Sequence, residues 1–417
     1  MKESAEEGAE RSAAPRGALA ALRHRNFRVF YAGQILSLCG TWMQSTAQGW
    51  LVLELTNSAL LLGVVTAAGS LPSLVLTLWA GVVADRGDKR RIILLADIVM
   101  GVQSLALAVL THVGLITYPV LLLLVLVLGT ASAFEVPTRQ SFFAELVGKE
   151  DLPNAIALNS AAFNGTRIVG PALAGWLIAV AGTTAACFYA NAVSFLFVVT
   201  GLMMMRLPPF RPPERTTSGL EDLREGIDFI RGDRLARTLV GLIAAMSITA
   251  FPYTMLLPVF ARDVLHVGAT GLGWLLAATG MGALMGGVAL AAGGARVPRG
   301  PLMVGSVLAF CVSLIAFTFV RSLVPALVLL GLAGFTMILN NATLNALLQS
   351  LVPDRLRGRV MSVYVFMFMG MIPIGALQAG ALSRAVGAPY AVAIGAAVLF
   401  AIAATVSVRV PELRRVR

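Results

Sequence analysis

Charged side chains are scarce in this chain. They make up 13% of its 417 residues, about half of the usual share in a soluble domain. Hydrophobic residues make up 58%, and many of them fall in apolar runs of about 20 residues, the length at which a helix crosses a bilayer. Such runs are too long for barrel strands. In hydrocarbon the backbone N–H and C=O groups must form their hydrogen bonds within the protein. The sequence therefore predicts an all-α integral membrane protein.

Cysteine and histidine are also rare, with three residues of each. Cys39, Cys187 and Cys311 all lie within apolar runs and far apart, which disfavours a disulfide framework or a thiolate metal site. The histidines are equally scattered, so the sequence offers no cluster typical of a catalytic centre. It also lacks a phosphate-binding P-loop, which argues against ATP as the direct energy source. We expect no cofactor, no metal and no enzymatic activity.

Twelve apolar runs are candidate membrane spans, and we number them 1 to 12 in chain order. Six precede a hydrophilic stretch in the middle of the chain and six follow it. The predicted spans cover roughly residues 27–53, 59–83, 91–111, 118–134, 152–180 and 184–205, then 239–260, 272–292, 302–320, 326–344, 360–382 and 390–408.

Acidic residues are outnumbered, 21 against 32 lysines and arginines, which gives a net charge of +11. The basic residues gather in the chain ends and in alternate connections between spans; the exceptions are Arg167, Arg262, Arg321 and Arg384. This distribution follows the positive-inside rule and predicts that both termini are cytoplasmic. The positive charge therefore indicates membrane topology and contact with anionic lipid headgroups, and we expect no nucleic acid partner.

The domain boundaries follow from the same pattern. We expect a disordered cytoplasmic tail over residues 1–24, which lacks the features of a signal peptide, and a six-helix half over 25–205. A cytoplasmic linker over 206–237 leads to a second half over 238–408 and a short tail over 409–417. The linker begins with prolines and then places hydrophobic residues at helical spacing, which predicts an amphipathic helix lying along the bundle or the membrane.

The two halves repeat one another. An even number of helices per half makes the repeats parallel, which is one of the known plans of transporters, with substrate bound between the halves near the midplane. A single shift of the first half onto the second places Gly129 on Gly334, Gly165 on Gly370, Gly170 on Gly375, Gly175 on Gly380 and Gly182 on Gly387.

The turn between spans 2 and 3 carries more charge than a hairpin needs. It reads Gly81-Val-Val-Ala-Asp85-Arg86-Gly87-Asp88-Lys89-Arg90-Arg91. With twelve spans in two halves, this turn resembles the signature loop of the major facilitator superfamily, although Asp88 stands where many members have glycine. The stretches over residues 22–44 and 154–175 resemble the branch that contains the enterobactin exporter and related macrolide and multidrug efflux proteins.

The resemblance implies a cytoplasmic gate. Asp85 would face the N-terminus of span 11 when the cytoplasmic side is closed, because free N–H groups there favour a carboxylate. Arg357 would add to that contact, and Arg86 or Arg90 would pair with Glu135 at the end of span 4. The alternative is that these charges are solvated and only set the topology. The gate residues of this hypothesis are Gly81, Asp85, Arg86, Gly87, Lys89, Arg90, Glu135 and Arg357.

Span 5 carries small residues and a proline at Gly165, Gly170, Pro171 and Gly175. Small residues let membrane helices approach closely. The stretch is a partial match to the antiporter motif of the superfamily, with Ala174 where a paired glycine stands, and the resemblance therefore favours export. The alternative is helix packing alone, since the second half repeats these glycines.

Asp97 and Arg167 lie inside spans and are candidates for proton coupling, with Glu54 near the outer end of span 1 as an alternative acid. Asp97 is about two turns into span 3, where it either carries the coupled proton or forms a structural pair near the charged turn. Arg167 lies well inside span 5, where burial is costly unless the guanidinium is paired or hydrated. It either contacts substrate or a proton relay, or it bridges to a neighbouring helix. Span 4 lacks the arginine motif that drug antiporters of the superfamily carry.

The family architecture implies a substrate cavity lined chiefly by spans 1, 4, 7 and 10. Each polar candidate either contacts cargo or bridges helices, and the cavity as a whole is predicted to be apolar with few charges. The cavity candidates are Gln34, Gln44, Gln48, Asn164, Phe251, Tyr253, Asn341, Met367 and Gln378.

We therefore predict a secondary active transporter that works by alternating access in the inner membrane of a bacterium. The expected cargo of this exporter is a lipophilic or amphipathic small molecule, such as a drug, a macrolide-like compound or a siderophore. The expected counter-ion is the proton, and the expected state is a monomer. A facilitator or importer of a hydrophobic metabolite, a lipid-translocating protein and a non-transporting sensor remain as alternatives.

Overall fold

The computed structural model of the protein describes residues 19–205, 219–293 and 297–414, and these residues form helices and no β-strand. The predicted all-α membrane fold is confirmed. Within the described ranges, ten helical segments are long and apolar enough to cross a membrane. Helices also occupy the predicted positions of spans 1 and 5, so the order of elements fits twelve spans in two halves.

The first half contains six helices, and those of spans 4 and 5 follow each other directly along Tyr118–Ala181. Gly148 separates these two helices with a φ of 72° and a ψ of 173°, a non-helical conformation that is natural for glycine and strained for other residues. The predicted end of span 4 near residue 134 is wrong, since the helix continues through Pro137 to Gly148. The helical segments are Arg25–Thr56, Ala59–Arg86, Lys89–His112, Tyr118–Ala181 with its break at Gly148, and Ala185–Met204.

Two spans of the second half are broken. Span 7 consists of Arg234–Thr249 and Tyr253–Val259, with a π-helical extension at Phe260–Val264. Span 11 consists of Asp354–Gly370 and Ile372–Val386. Each break lies beside a proline, which cannot donate the backbone hydrogen bond that a continuous helix requires. The unbroken helices are Gly268–Gly293, Arg299–Phe319, Leu323–Leu351 and Ala388–Arg409.

The linker contains a helix at Gly219–Gly232. A β-carbon built on Gly226 would lie 2.8 Å from Arg359 O, and the Arg359 guanidinium pairs with Glu225. The linker helix therefore lies against the start of span 11. Residues 1–18 of the predicted tail, residues 206–218 of the predicted linker and residues 415–417 lie outside the described residues.

The helices pack as two groups that meet along two seams. In the first half, span 1 packs against spans 5 and 6, and span 3 packs against span 6. In the second half, span 10 packs against spans 8 and 9, and span 9 packs against span 12. The halves meet where span 2 contacts span 11 and where span 5 contacts span 8.

Spans 8 and 10 are in backbone contact. A β-carbon on Gly282 would lie 1.8 Å from Gly331 O, and one on Gly334 would lie 2.0 Å from Thr279 O. Both obstacles are backbone atoms, so no side-chain rotation relieves the overlap. Glycine at these positions lets two membrane helices approach as closely as this fold requires.

We expect Gly282→Ala to destabilise the second half by about 1–3 kcal/mol, the usual cost of forcing extra volume into a packed core. Thermal unfolding of the purified protein in detergent, followed by size-exclusion chromatography, would show a lower midpoint and a smaller folded fraction. Gly287→Ala is the matched control, because Gly287 lies in the same span with no atom within 4 Å of its added β-carbon. Equal midpoints for the two variants would contradict the prediction.

Candidate functional site

The connections between spans lie at two faces of the bundle. We call the basic face the one that carries the chain ends, the linker helix and the 2–3, 4–5, 8–9 and 10–11 connections. The opposite face carries the remaining connections. The basic face takes its name from the lysines and arginines that the sequence concentrates there.

Arg262 joins the two halves at the opposite face. From the end of span 7 it donates hydrogen bonds to Leu53 O, at 2.9 Å, and to the side-chain oxygen of Asn57. It also pairs with its neighbour Asp263, with 2.7 Å between Nε and Oδ1. Leu53 lies in the last turn of span 1 and Asn57 caps that helix. A helix C-terminus carries partial negative charge, so a guanidinium is favoured there.

Close backbone contacts extend this closure. A β-carbon on Gly63 would lie 2.5 Å from Ala376 O, which brings spans 2 and 11 together. Thr270 Oγ1 donates to Gly175 O at 3.3 Å, which joins spans 8 and 5. Among the described residues, the side-chain hydrogen bonds that cross between the halves are those of Arg262 and Thr270, both at the opposite face. The halves are therefore closed against each other there.

The small-residue motif of span 5 lies largely at helix contacts. A β-carbon on Gly170 would lie 2.5 Å from Trp42 Cβ in span 1, and one on Gly175 would lie 2.6 Å from Ala269 O in span 8. Pro171 presents its carbonyl oxygen to Gly273 of span 8. The exception is Gly165, which has no atom within 4 Å of an added β-carbon.

Arg167 lies where the two halves approach each other. Its Cζ atom is 5.9 Å from the centre of the Trp42 ring of span 1, within the range of a cation–π interaction. A β-carbon on Gly280 of span 8 would lie 3.4 Å from Arg167 O. The guanidinium also acts electrostatically on Tyr253 of span 7. In the described part of the chain, it forms no ion pair with any acid.

Other cavity candidates have polar atoms without partners. The side-chain oxygens of Gln48, Asn341 and Gln378 are buried, and each lacks a hydrogen-bond partner in the described part of the chain. Tyr253 is 2% exposed. Its hydroxyl lies near Thr279, whose own hydroxyl donates to Leu275 O at 3.0 Å, and has no hydrogen-bond partner in the described residues. These atoms are available to a ligand or to water.

The remaining candidates make contacts of their own. Asn164 donates to Ser160 O one turn earlier, at 2.8 Å. Phe251 packs edge-on against Phe368, with ring centres 5.7 Å apart, and Met367 packs partly buried against the main hydrophobic core. Packing is therefore the observed role of the two apolar candidates.

Gln44 takes the second of its two predicted roles in this structure, as a bridge between helices. It is 1% exposed, its Nε2 donates to Gln103 Oε1 at 3.1 Å, and its Oε1 accepts from Ser104 and Asn191 at 2.6 and 2.9 Å. The polar side chain is used to bind spans 3 and 6 to span 1, because a buried amide without such partners would be costly. Gln34 is also buried, at 4% exposure.

We expect Gln44→Ala to lower stability and to leave cargo preference unchanged. The substitution removes the partner of the Gln103 oxygen and of the Ser104 hydroxyl proton, whereas Asn191 keeps its bond to Ser104 at 3.1 Å. Each unsatisfied group costs about 1–3 kcal/mol. Thermal unfolding measures the loss, and a cargo panel tested in parallel measures preference. Gln48→Ala is the control. The Gln48 oxygen has no hydrogen-bond partner in the described residues, so its removal leaves no other group unsatisfied. If Gln44→Ala changed cargo preference and left stability unchanged, Gln44 would be identified as a cargo contact.

The charged turn is held by contacts within the first half. Asp88 caps span 3, because its side chain accepts from the backbone N–H of Arg91 at 3.2 Å. Lys89 pairs with Glu145 at 2.5 Å. Arg90 donates to two carbonyl oxygens at the end of span 6, Leu202 O at 2.9 Å and Met203 O at 3.1 Å. The turn therefore ties span 3 to the helix of span 4 and to span 6.

The other turn residues make fewer contacts. Arg86 is exposed, and Gly81 has no atom within 4 Å of an added β-carbon. A β-carbon on Gly87 would lie 2.6 Å from Ile92 Cδ1, so the turn needs glycine there. The predicted contact of Asp85 involves a side chain that lies outside the described residues. Arg357, its predicted neighbour, pairs with Asp354 at 2.6 Å.

Glu135 pairs within its own span. Its Oε1 is 3.2 Å from Nη1 of Arg139, four residues later on the same helix. The predicted pairing of Glu135 with Arg86 or Arg90 is wrong, since Arg139 lies on the same buried face and Arg90 is engaged by span 6.

Asp97 completes a buried charge cluster, which we define as Asp97, Glu135 and Arg139. Asp97 and Glu135 are 3% and 4% exposed, and Asp97 interacts electrostatically with both other members. Asp97 Oδ2 and Arg139 Nε are buried without hydrogen-bond partners in the described part of the chain. The cluster therefore holds two carboxyl groups against one guanidinium. No group of three metal-ligating side chains occurs among the described residues.

The sequence reasoning missed two residues at this site. Arg139 stands four residues after Glu135, a spacing at which side chains on one helix meet, so the pair was visible in the sequence. In the sequence, Arg262 is one of the four basic residues that depart from the positive-inside distribution, and no further role was predicted for it. Its role depends on how the ends of spans 1 and 7 meet, and that is a tertiary property.

The two six-helix halves are closed against each other at one face. An interior arginine lies where they meet, and a buried charge cluster lies in the first half. Together these features define a transporter of the major facilitator type. A sequence profile described as "Transmembrane secretion effector" matches residues 16–416. The chain belongs to this family of the major facilitator superfamily. It is a multi-pass membrane transporter of small molecules and not an enzyme.

Several characterised proteins are similar along most of their length. The chain is 28% identical over 384 residues to the multidrug efflux pump Tap of Mycolicibacterium fortuitum, covering 90% of this chain and 93% of that protein. It is 27% identical over 353 residues to the staphyloferrin A transporter of Staphylococcus aureus, with coverage of 84% and 87%. It is 27% identical over 366 residues to the enterobactin exporter EntS of Escherichia coli, with coverage of 86% and 85%.

A solved structure supports the same fold. The bacterial homologue of the lysosomal transporter Spinster, crystallised in an inward-facing and unoccupied conformation, superposes with a TM-score of 0.72 at 15% identity. The match covers 94% of this chain and 96% of that one. The predicted membership of the superfamily, and of the branch with siderophore and multidrug efflux proteins, is confirmed.

Proposed function

We propose that the chain is a proton-driven exporter of amphipathic small molecules in the inner membrane of a bacterium, with both termini in the cytoplasm. The observation that carries the proposal is the buried cluster of Asp97, Glu135 and Arg139. If all three groups are charged, the cluster has one uncompensated negative charge, and a buried unpaired charge is costly. A single bound proton makes the cluster neutral.

The position of the cluster supports a role in coupling. Asp97 lies two turns from the charged 2–3 turn, whose Lys89 and Arg90 bind the helix of span 4 and span 6. Asp97 lies in the helix that begins at Lys89, so a movement of the turn would move Asp97 relative to Glu135 and Arg139 of span 4. We propose that proton loading and the position of the turn are linked in this way, as an antiporter requires.

The closure at the opposite face supports a direction of access. The opposite face is closed by Arg262 and by the span 5–8 and span 2–11 contacts. With the basic face in the cytoplasm, alternating access would pair this closed face with access from the cytoplasm. Cargo would enter there, between the halves. We retain the proposal that Asp85 and Arg357 help to close the cytoplasmic side in the alternate state.

The nature of the cargo is supported by the relatives and by the interior. Relatives are named as a multidrug efflux pump and as siderophore transporters. The interior offers aromatic and amide groups with few charges, including Trp42, Gln48 and Asn341. Both observations favour a lipophilic or amphipathic cargo, and nothing in the mechanism requires more than a monomer.

Expression in a bacterial strain that lacks its own efflux pumps tests the function. We expect the chain to lower the accumulation of a subset of compounds in a panel of dyes, antibiotics and siderophores. Membrane vesicles should then release protons to the cargo side when a transported compound is added. Transport that is independent of pH on both sides would refute the proton-driven part, and unchanged accumulation of the whole panel would refute export.

A further inference from the structure

We infer that the cargo of this transporter carries an anionic group, carboxylate-like in charge and shape, which binds to Arg167. The inference rests on the proposed function and specifies the class of cargo. Arg167 is a cation that lies where the two halves meet, and in the described residues no acid of either half pairs with it.

The surroundings of Arg167 come from both halves. The Trp42 ring of span 1 faces the guanidinium at 5.9 Å, and Phe163 packs edge-on against Trp42 with ring centres 5.5 Å apart. From the second half, the backbone of span 8 at Gly280 passes against that of Arg167, and Tyr253 lies within electrostatic reach. A ligand held at this position would touch both halves, which is what alternating access requires.

The positive charge of Arg167 is not neutralised by an acidic side chain in the described ranges. No hydrogen bond or ion pair to its guanidinium occurs in the described ranges, and Asn164, one turn earlier, donates to Ser160 O instead. Spans 7 to 12 contribute no acid from their interiors. The acids of the buried charge cluster are already shared with Arg139. A cation–π contact offsets only part of the cost of placing a cation inside a membrane protein.

An anionic ligand would supply the negative charge that the guanidinium lacks. A guanidinium presents a planar fork of donors that matches a carboxylate with two parallel hydrogen bonds. The Tyr253 hydroxyl, buried and without a well-formed hydrogen bond, is a further donor. The adjoining surface of Trp42 and Phe163, with Phe163 43% exposed, suits an apolar or aromatic body. A cationic cargo would instead be repelled at this position.

Binding of three matched probes to the wild-type protein tests the inference. The probes are 2-naphthylacetate, 2-naphthylacetamide and 2-naphthylethylammonium, which share a ring and differ in charge. Equilibrium dialysis against the protein in lipid nanodiscs, with empty nanodiscs subtracted, measures each affinity. We expect the anion to bind about tenfold more tightly than the amide, the usual difference for a charged hydrogen bond, and the cation to bind least.

Variants assign the preference to Arg167. Arg167→Gln should bind the anion and the amide equally, while Arg167→Lys should retain part of the preference because it keeps the charge. Arg384→Gln, at an exposed arginine of the opposite face, should behave as wild type. Equal binding of all three probes by the wild type, absence of binding, or an anion preference that survives in Arg167→Gln would overturn the inference. The proposed export function is judged separately by the accumulation screen, so the two ideas fail independently.

Discussion

Replacing Asp97 by asparagine is expected to abolish proton-driven accumulation of cargo and to leave cargo exchange intact. Asparagine has nearly the same shape as aspartate but cannot take up a proton. The substitution leaves Glu135 and Arg139 as a neutral pair, 3.2 Å apart, so the cluster no longer needs a proton in either state of the transport cycle. The cargo site lies elsewhere, around Arg167, and should continue to bind.

Glu135→Gln should produce the same phenotype for the same reason. Removing that carboxyl group leaves Asp97 and Arg139 as one anion and one cation, which is again neutral without a proton. Two different substitutions that both uncouple transport would identify the charge balance of the cluster, rather than the geometry of one side chain, as the basis of coupling.

Proteoliposomes with an imposed pH gradient provide the measurement, with a cargo identified by the accumulation screen. Gradient-driven uptake should fall to the level of empty liposomes, while exchange of labelled for unlabelled cargo proceeds at a rate close to that of the wild type. Asp228→Asn is the matched control, because Asp228 is an exposed aspartate of the linker helix. Persisting gradient-driven uptake by Asp97→Asn would exclude Asp97 as the proton carrier.

The spans could be predicted from sequence because the bilayer imposes the constraint directly. A helix that crosses hydrocarbon must be apolar along its whole length, so hydropathy alone locates it. The same reasoning misplaced the end of span 4. The charges between Glu135 and Glu145 suggest a loop, but the helix continues to Gly148, with Arg139 paired to Glu135 and Lys89 paired to Glu145.

The direction in which polar side chains point could not be predicted as well. Gln44 and Gln48 are four residues apart on one helix, and both are polar within a membrane span. Gln44 enters a hydrogen-bond network with spans 3 and 6, whereas the Gln48 oxygen stays unpartnered. A structural bridge and a ligand contact require the same residue types, and only the packing of neighbouring spans distinguishes them.

Replacing Arg262 by glutamine is expected to open the opposite face. Arg262 links the end of span 7 to Leu53 O and Asn57 at the end of span 1, beside a pocket of about 550 Å³. These hydrogen bonds exist only while the face is closed. Hydrogen bonds of a charged group contribute about 1.5–3 kcal/mol, so their loss should shift the balance between the two states by about tenfold or more.

Distances between spin labels on opposite halves report this balance. Cysteines at Val113 and Ser322, both in exposed connections of the opposite face, carry the labels after the three native cysteines are replaced. We expect a second, longer distance to appear in Arg262→Gln, and Arg262→Lys to restore part of the short one. Arg384→Gln is the control, since Arg384 lines the same pocket and is exposed. An unchanged distance distribution in Arg262→Gln would show that the glycine contacts of spans 2, 5, 8 and 11 are sufficient to hold this face closed.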